Sequence, residues 1–399
     1  MSLTDTSPES ATATDGFSPD AAAPRRQPEL RIPATPASIH ELSLPPDRRQ
    51  HSGRGAFNTT LQLRYAGPRN LRLSYEWQGP ADAPVVLVAG GISAHRHVAA
   101  SADCPEPGWW PQQAGAGRAL DSSRFRLLAI NWIGADGTLD APIDSSDQAD
   151  AIAAVLAHLD ISKLAAFIGC SYGAMVGLQF AARHPSRVGH LLAISGGDRA
   201  HPYSSAWRGL QRRVARLGAS EGGRREALSL ARQLAMLSYR TPEEFAERFD
   251  APVQWQDGNA RFASEDYLDA CGSNYVARTP LTAFLRLSES IDVHNLAPES
   301  VAVPTTLVAI DEDRLVPRHT LVELAERLPV LRRLHLLRSR YGHDAFLKEE
   351  DAIADIIRTA LDDVLTPGLV TATTASTAST ASSALIDPTA SATPTGVSA

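Results

Sequence analysis

Cysteine is scarce in this chain: Cys104, Cys170 and Cys271 are the only three in 399 residues, so they cannot all pair with one another. None stands at metal-ligand spacing from a second cysteine, which excludes a disulfide-stapled scaffold and points to a reducing cytoplasm with no cysteine-held metal. Runs of Lys or Arg are also missing, and the formal net charge is −7, which argues against nucleic acid or an anionic membrane as a partner. No apolar stretch reaches the length a bilayer requires. The opening Met1-Ser2-Leu3-Thr4-Asp5 carries neither the basic nor the apolar region of a secretory signal. Against these absences stand 43% hydrophobic and 21% charged residues, the balance of a globular protein with a sizeable core.

Composition divides the chain. Residues 1–54 are rich in Pro, Ala, Ser and Thr without sustained periodicity, and 366–399 form an Ala/Ser/Thr tract; both are expected to be disordered. Between them, 55–199 and 298–365 alternate strand and helix. The segments 60–65 and 71–77 flank Gly67-Pro68 as a hairpin. Continuous apolar runs at 84–89, 126–131, 164–169, 188–195, 305–310 and 333–337 have the character of strands buried on both faces. Helical spacing follows at 146–159, 174–184, 321–328 and 350–365. The expected class is α/β, a doubly wound, mostly parallel sheet. Residues 200–297 break the rhythm with helical patterns at 211–217, 224–237 and 242–249. They are expected to be a lid inserted between two sheet strands.

Gly169-Cys170-Ser171-Tyr172-Gly173 has the form Gly-x-Ser-x-Gly and lies between an expected strand and an expected helix. A turn that sharp admits only small residues beside the serine and thrusts its hydroxyl out at the sheet's end, as the α/β-hydrolase fold requires. A serine hydroxyl needs a base. In this fold acid and histidine follow the serine in that order, which points to His343 and to Asp311, Glu312 or Asp313, each just after an expected strand. Asp313 is preferred because Asp313-Arg314-Leu315-Val316-Pro317 resumes the chain with a turn-ending proline. Two backbone amides must hold the oxyanion: that of Tyr172, and that of Ile92 in the Gly90-Gly91-Ile92-Ser93 loop. An esterase would use the same machinery.

The surrounding motifs narrow this. Gly108-Trp109-Trp110, Gly115-Ala116-Gly117-Arg118-Ala119-Leu120-Asp121, Ala231-Arg232 with Tyr239-Arg240, and Gly342-His343-Asp344-Ala345-Phe346-Leu347 together resemble the homoserine O-acyltransferase family of methionine biosynthesis, over most of residues 60–350. The resemblance implies a ping-pong reaction in which Ser171 takes an acyl group from acyl-CoA, a co-substrate rather than a cofactor, and passes it to an amino-acid hydroxyl. It implies that Arg232, Tyr239 and Asp344 hold the amino acid, and that the enzyme works as a homodimer. Gly91-Ile92-Ser93 and Arg208-Gly209-Leu210-Gln211-Arg212 look more like the succinylating members. A succinyl carboxylate needs a cation, for which Arg208 and Arg96 are candidates. Acetyl-CoA as donor and serine as acceptor remain the alternatives. The chain departs from the family at Gly173-Ala174-Met175, where Gly-Gly-Met is usual, and around Thr279-Pro280.

Overall fold

The computed structural model describes residues 51–218 and 220–365; the expected tail and all but the last four residues of the expected leader lie outside the described residues. Strands β1 (Ser52–Leu63) and β2 (Gly67–Gln78) pair antiparallel from Ser52↔Gln78 to Leu63↔Gly67. The hairpin is where the pattern put it, but the sheet begins at Ser52, inside the segment assigned to the leader. The cause is Gly53 and Gly55, which carry no apolar signal of their own. A Cβ on Gly53 would stand 2.7 Å from the Trp77 ring. On Gly55 it would stand 2.4 Å from the Tyr75 hydroxyl. The two glycines clear space for bulky neighbours across the strand pair, so the partner strand holds the signal that β1 lacks.

The alternating region then forms in order β3 (Val85–Ala89), β4 (Arg126–Ile130), α1 (Ser145–His158), β5 (Ala166–Cys170), α2 (Tyr172–Arg183) and β6 (Leu191–Ile194). The insertion supplies α3 (Pro202–Ala215), α4 (Glu221–Tyr239), α5 (Pro242–Phe249), β7 (Gln254–Gln256), β8 (Asn259–Arg261), α6 (Ala263–Val276) and α7 (Leu281–Asp292). The chain returns to the sheet with β9 (Thr305–Ile310), α8 (Arg318–Arg327), β10 (Leu331–Leu337), the short α9 (Ala345–Lys348) and α10 (Glu350–Leu365). The sheet runs β1-β2-β4-β3-β5-β6-β9-β10, with β4 to β10 parallel and β1 and β2 antiparallel at one edge.

Period-2 alternation sorts each central strand onto two faces. Leu87, Phe167, Leu191 and Leu307 pack with Ile152, Val155, Val176 and Phe180 of α1 and α2. Val86, Ile168, Leu192 and Val308 pack with Trp110 and with Ile353, Ile357 and Leu361 of α10. Each such fully buried aliphatic side chain contributes about 1.5–3 kcal/mol. The insertion has a small core of its own around Leu228, Ala231, Tyr275 and Phe284. It also contains the β7–β8 hairpin, which the helical patterning did not show. Its strands are three residues long and exposed, and its turn is Asp257-Gly258, both at positive φ. Among the described residues no helix is long and apolar enough to cross a membrane, and the three cysteines are unpaired.

Candidate active site

Ser171 is the residue before α2, at φ 54° and ψ −115°, and its N–H still donates to the Ile194 carbonyl of β6. The flanking glycines are obligatory for a steric reason. A Cβ on Gly169 would lie 2.3 Å from the Gly173 carbonyl oxygen, and one on Gly173 would lie 2.1 Å from that of Ala89. With both absent, strand, turn and helix close tightly enough for the Gly173 amide to donate to the Gly90 carbonyl at 3.0 Å.

The structure brings the three expected residues together. Ser171 Oγ lies 2.7 Å from His343 Nε2, and His343 Nδ1 lies 2.7 Å from Asp313 Oδ2. The other Asp313 oxygen accepts from the Leu315 and Val316 amides at 2.8 and 3.0 Å, which fixes the buried carboxylate. Its neighbours are otherwise engaged. Asp311 lies 3.3 Å from Arg318, and Glu312 accepts from the Ser339 amide at 2.7 Å. Burial pulls the His343 pKa down, but the Asp313 carboxylate beside Nδ1 more than offsets it, so the net direction is upward.

Tyr172 opens α2, so its amide has no acceptor within the helix. Ile92 lies in the loop after β3, and both residues line the cavity that contains Ser171. That loop is tied down where the Trp132 indole donates to the Gly91 carbonyl at 3.1 Å. The Tyr172 ring packs edge-on against Trp132, and its hydroxyl accepts from Ser290 at 2.8 Å.

The cavity has a volume of about 750 Å³ and is roofed by the insertion. Arg232 of α4 lines it, with its guanidinium 5.4 Å from the Tyr239 ring centre and 4.8 Å from that of Tyr275. It makes no ion pair among the described residues. Burial acts to lower its pKa, and the facing Tyr239, Tyr275 and Asp344 raise it further than that, so it stays charged. The Tyr239 ring is 5.9 Å from the His343 ring. Asp344 also lines the cavity, but its carboxylate already lies 2.9 Å from Arg240 Nε, in charge contact without an aligned hydrogen bond.

The two donor-side candidates separate. Arg208 lines the cavity, and its Nε donates to Asp292 at 2.7 Å, while the second Asp292 oxygen accepts from Arg212 at 2.6 Å. Arg96 does not line it. Its Nη1 reaches the Gly55 carbonyl at 3.3 Å and its amide donates to Asn131, so the side chain is turned towards β1. Of the two candidates, only Arg208 lines the cavity, so the structure does not bring Arg96 to the acyl site expected of it. The sequence also gave no hint of Arg278, Arg248 and Lys348 in the wall. They sit on three separate elements, and no spacing links them to the triad. Six arginines and Lys348 line the cavity, against a single carboxylate, Asp344.

Residues 83–350 match the family described as alpha/beta hydrolase fold. The chain is 60% identical over 308 residues to a homoserine O-succinyltransferase of Xanthomonas campestris pv. campestris, covering 77% of this chain and 84% of that one. It is 31% identical to a serine O-succinyltransferase of the same pathovar, over 73% of this chain and 92% of the relative. Identity to a homoserine O-acetyltransferase of Geobacter sulfurreducens is 30%, over 76% and 95% respectively. Among solved structures, a homoserine O-acetyltransferase from Bacillus anthracis superposes with a TM-score of 0.70 at 15% identity, over 78% of this chain and 98% of that one. Esterase E22 also reaches 0.70, at 19% identity, over 78% and 100%; these two share the fold.

Proposed function

Because this chain belongs to the homoserine O-acyltransferases, a family built on the α/β-hydrolase fold, we propose that it moves a succinyl group from succinyl-CoA to the hydroxyl of L-homoserine through an acylated Ser171. The observation that carries this reading is Arg232, a charged guanidinium that makes no ion pair among the described residues and lines the cavity that contains the serine. Water as acceptor needs no such group. An amino acid does, since its α-carboxylate matches the guanidinium fork.

The steps follow from the geometry. His343 Nε2 takes the Ser171 proton as Oγ attacks the thioester carbonyl. The oxyanion forms against the Tyr172 and Ile92 amides. On collapse the carbon–sulfur bond breaks, and His343 returns the proton to the departing CoA thiolate. Homoserine then enters, with its carboxylate on Arg232 and Tyr239 beside it, and Asp344 shares its charge between Arg240 and the α-ammonium. His343 takes the hydroxyl proton, the oxygen attacks the acyl-serine, and the proton returns to Ser171 as the ester leaves. We propose that no cofactor takes part.

Succinyl is preferred over acetyl on account of Arg208, held in the cavity wall by Asp292 with a guanidinium nitrogen to spare. CoA release should be followed with succinyl-CoA or acetyl-CoA, with and without homoserine or serine. Sustained release, beyond one CoA per chain, is expected to require homoserine and to be faster from succinyl-CoA. Release that ignores the amino acid would place the protein with the hydrolases. Arg208→Ala should lower the succinyl-to-acetyl preference about 10–100-fold, the worth of one charge-assisted contact. An unchanged ratio would remove Arg208 from the acyl pocket.

We also place the enzyme in the cytoplasm as a homodimer paired through the insertion. Tyr203 and Leu210 on α3, and Leu230 and Leu237 on α4, repeat at seven-residue spacing and are exposed. Light scattering should give twice the chain mass, falling to one chain in Leu230→Asp/Leu237→Asp. A monomeric wild type would end the dimer assignment.

A further inference from the structure

A buried charged cluster outside the cavity wall involves His97, five residues beyond Ile92 on the same segment. Glu76 of β2 accepts from Arg54 Nε of β1 at 2.6 Å, and its other oxygen faces His97 Nδ1 at 2.7 Å. His97 Nε2 faces the Glu106 backbone carbonyl at 2.8 Å. Glu76 and His97 are 7% and 5% exposed, so water cannot stand in for either partner. A carbonyl oxygen only accepts, and so does the Glu76 carboxylate in its ion pair with Arg54. Both imidazole nitrogens must then carry hydrogen. A neutral ring would set one lone pair against another.

The location gives this charge a consequence. The segment is fixed at its start by the Gly173 amide on the Gly90 carbonyl and by Trp132 on the Gly91 carbonyl. At its far end the His97 and Val98 carbonyls accept from the Trp109 and Trp110 amides. The Ile92 amide lies between the two sets of anchors. We propose that the doubly protonated His97, through Glu76 and the Glu106 carbonyl, is a positioning residue that holds the Ile92 amide in line with the oxyanion formed at Ser171. This rests on the reading of Ile92 as an oxyanion donor.

Of the charged groups facing His97, Glu76 favours a charged ring and Arg54 opposes it, and the Glu76 side outweighs. Arg54 also donates to Cys104 Sγ at 2.7 Å, and that sulfur lies 3.6 Å from His97 Nε2 and 3.0 Å from the Glu106 carboxylate. The thiol is pushed up to about 11 by burial, and so it stays protonated. His95, stacked 6.3 Å from His97, is lowered to about 4 by burial and then by the His97 charge, and so it stays neutral. For His97, burial works downward, and Glu76 with the Glu106 carbonyl overcomes it, so the folded value is raised. A raised histidine contributes fully below its unfolded value of about 6.5 and loses that contribution as pH rises through the folded one. Positioning should therefore weaken on the alkaline side.

The test is the rate at which succinyl-CoA acylates Ser171, followed by quench and intact mass from pH 6 to 9 without acceptor, in the full chain. Glu76→Gln keeps a hydrogen-bond acceptor but removes the charge. It should acylate near the wild-type rate at pH 6 and about tenfold more slowly at pH 8, part of the roughly 10²–10³ that an oxyanion donor contributes. His97→Asn should be slow at every pH. A role confined to stability would lower Tm and leave the profile parallel to that of the wild type. A Glu76→Gln profile that superimposes on the wild type overturns the proposal. So does a His97 ring that titrates below about 6.5 in an NMR titration. Failure of the wild type to acquire a succinyl group would instead sink the acyl-serine reading, and the ring titration would still decide the charge on His97.

Discussion

Ser171→Ala is expected to cut CoA release by about 10⁴–10⁶-fold without loss of the fold. The change removes only Oγ, the atom 2.7 Å from His343 Nε2, and leaves the Asp313–His343 pair in place. The oxyanion amides belong to the backbone and survive it, so residual turnover is what transition-state binding alone provides. Mass measurement without acceptor should find one acyl group on the wild type and none on the variant. Turnover within about a hundredfold of wild type would move the nucleophile elsewhere. The same acylation should climb with pH through the raised pKa of His343, because only the neutral ring accepts the serine proton, and fall again where the His97 charge is lost. The sign matters for stability too. Asp313 stabilises the charged ring, so this contribution is full at low pH and is lost as pH rises through the folded pKa. The enzyme works where that part of its stability has been given up.

Arg232→Leu should lower kcat/KM for homoserine by about 10²–10³-fold, or about 3–4 kcal/mol, while the acylation half-reaction stays within about twofold of wild type. The residue stands between two tyrosine rings and makes no ion pair among the described residues, so the largest interaction it can lose is the one with the acceptor. Arg232→Lys keeps the charge but not the fork and should recover only part of the loss. Single-turnover acylation and steady-state transfer, measured side by side, separate the two halves of the reaction. Equal damage to both would assign Arg232 to the donor instead.

The catalytic core was legible because its constraints are local. Gly169 and Gly173 must be small where backbone meets backbone, and the runs at β3, β5 and β9 must be apolar where both faces are covered. Asp313 and His343 follow their strands within a few residues, so chain order pointed to them, and the turn ending at Pro317 favoured Asp313 over Asp311 and Glu312. The cavity wall obeys no such rule. Arg278, Arg248 and Lys348 come from just after α6, from α5 and from α9, and they meet only because the insertion folds over the sheet. Arg96 failed for the opposite reason. It is near Ile92 along the chain, yet the loop reverses between them and sends its side chain to the Gly55 carbonyl. The start of β1 was hidden because Gly53 and Gly55 serve the side chains of Trp77 and Tyr75 rather than packing themselves.

The positive φ of Ser171 has a bearing on how the protein can change over time. A side chain held in that region of backbone space costs about 1–3 kcal/mol, a strain that glycine would not feel. A single change to glycine at this position would thus tighten the fold and silence the chemistry together. Selection for a sturdier protein and selection for turnover pull on this one codon in opposite directions, and a copy released from its biosynthetic duty would meet no stability barrier to losing its nucleophile.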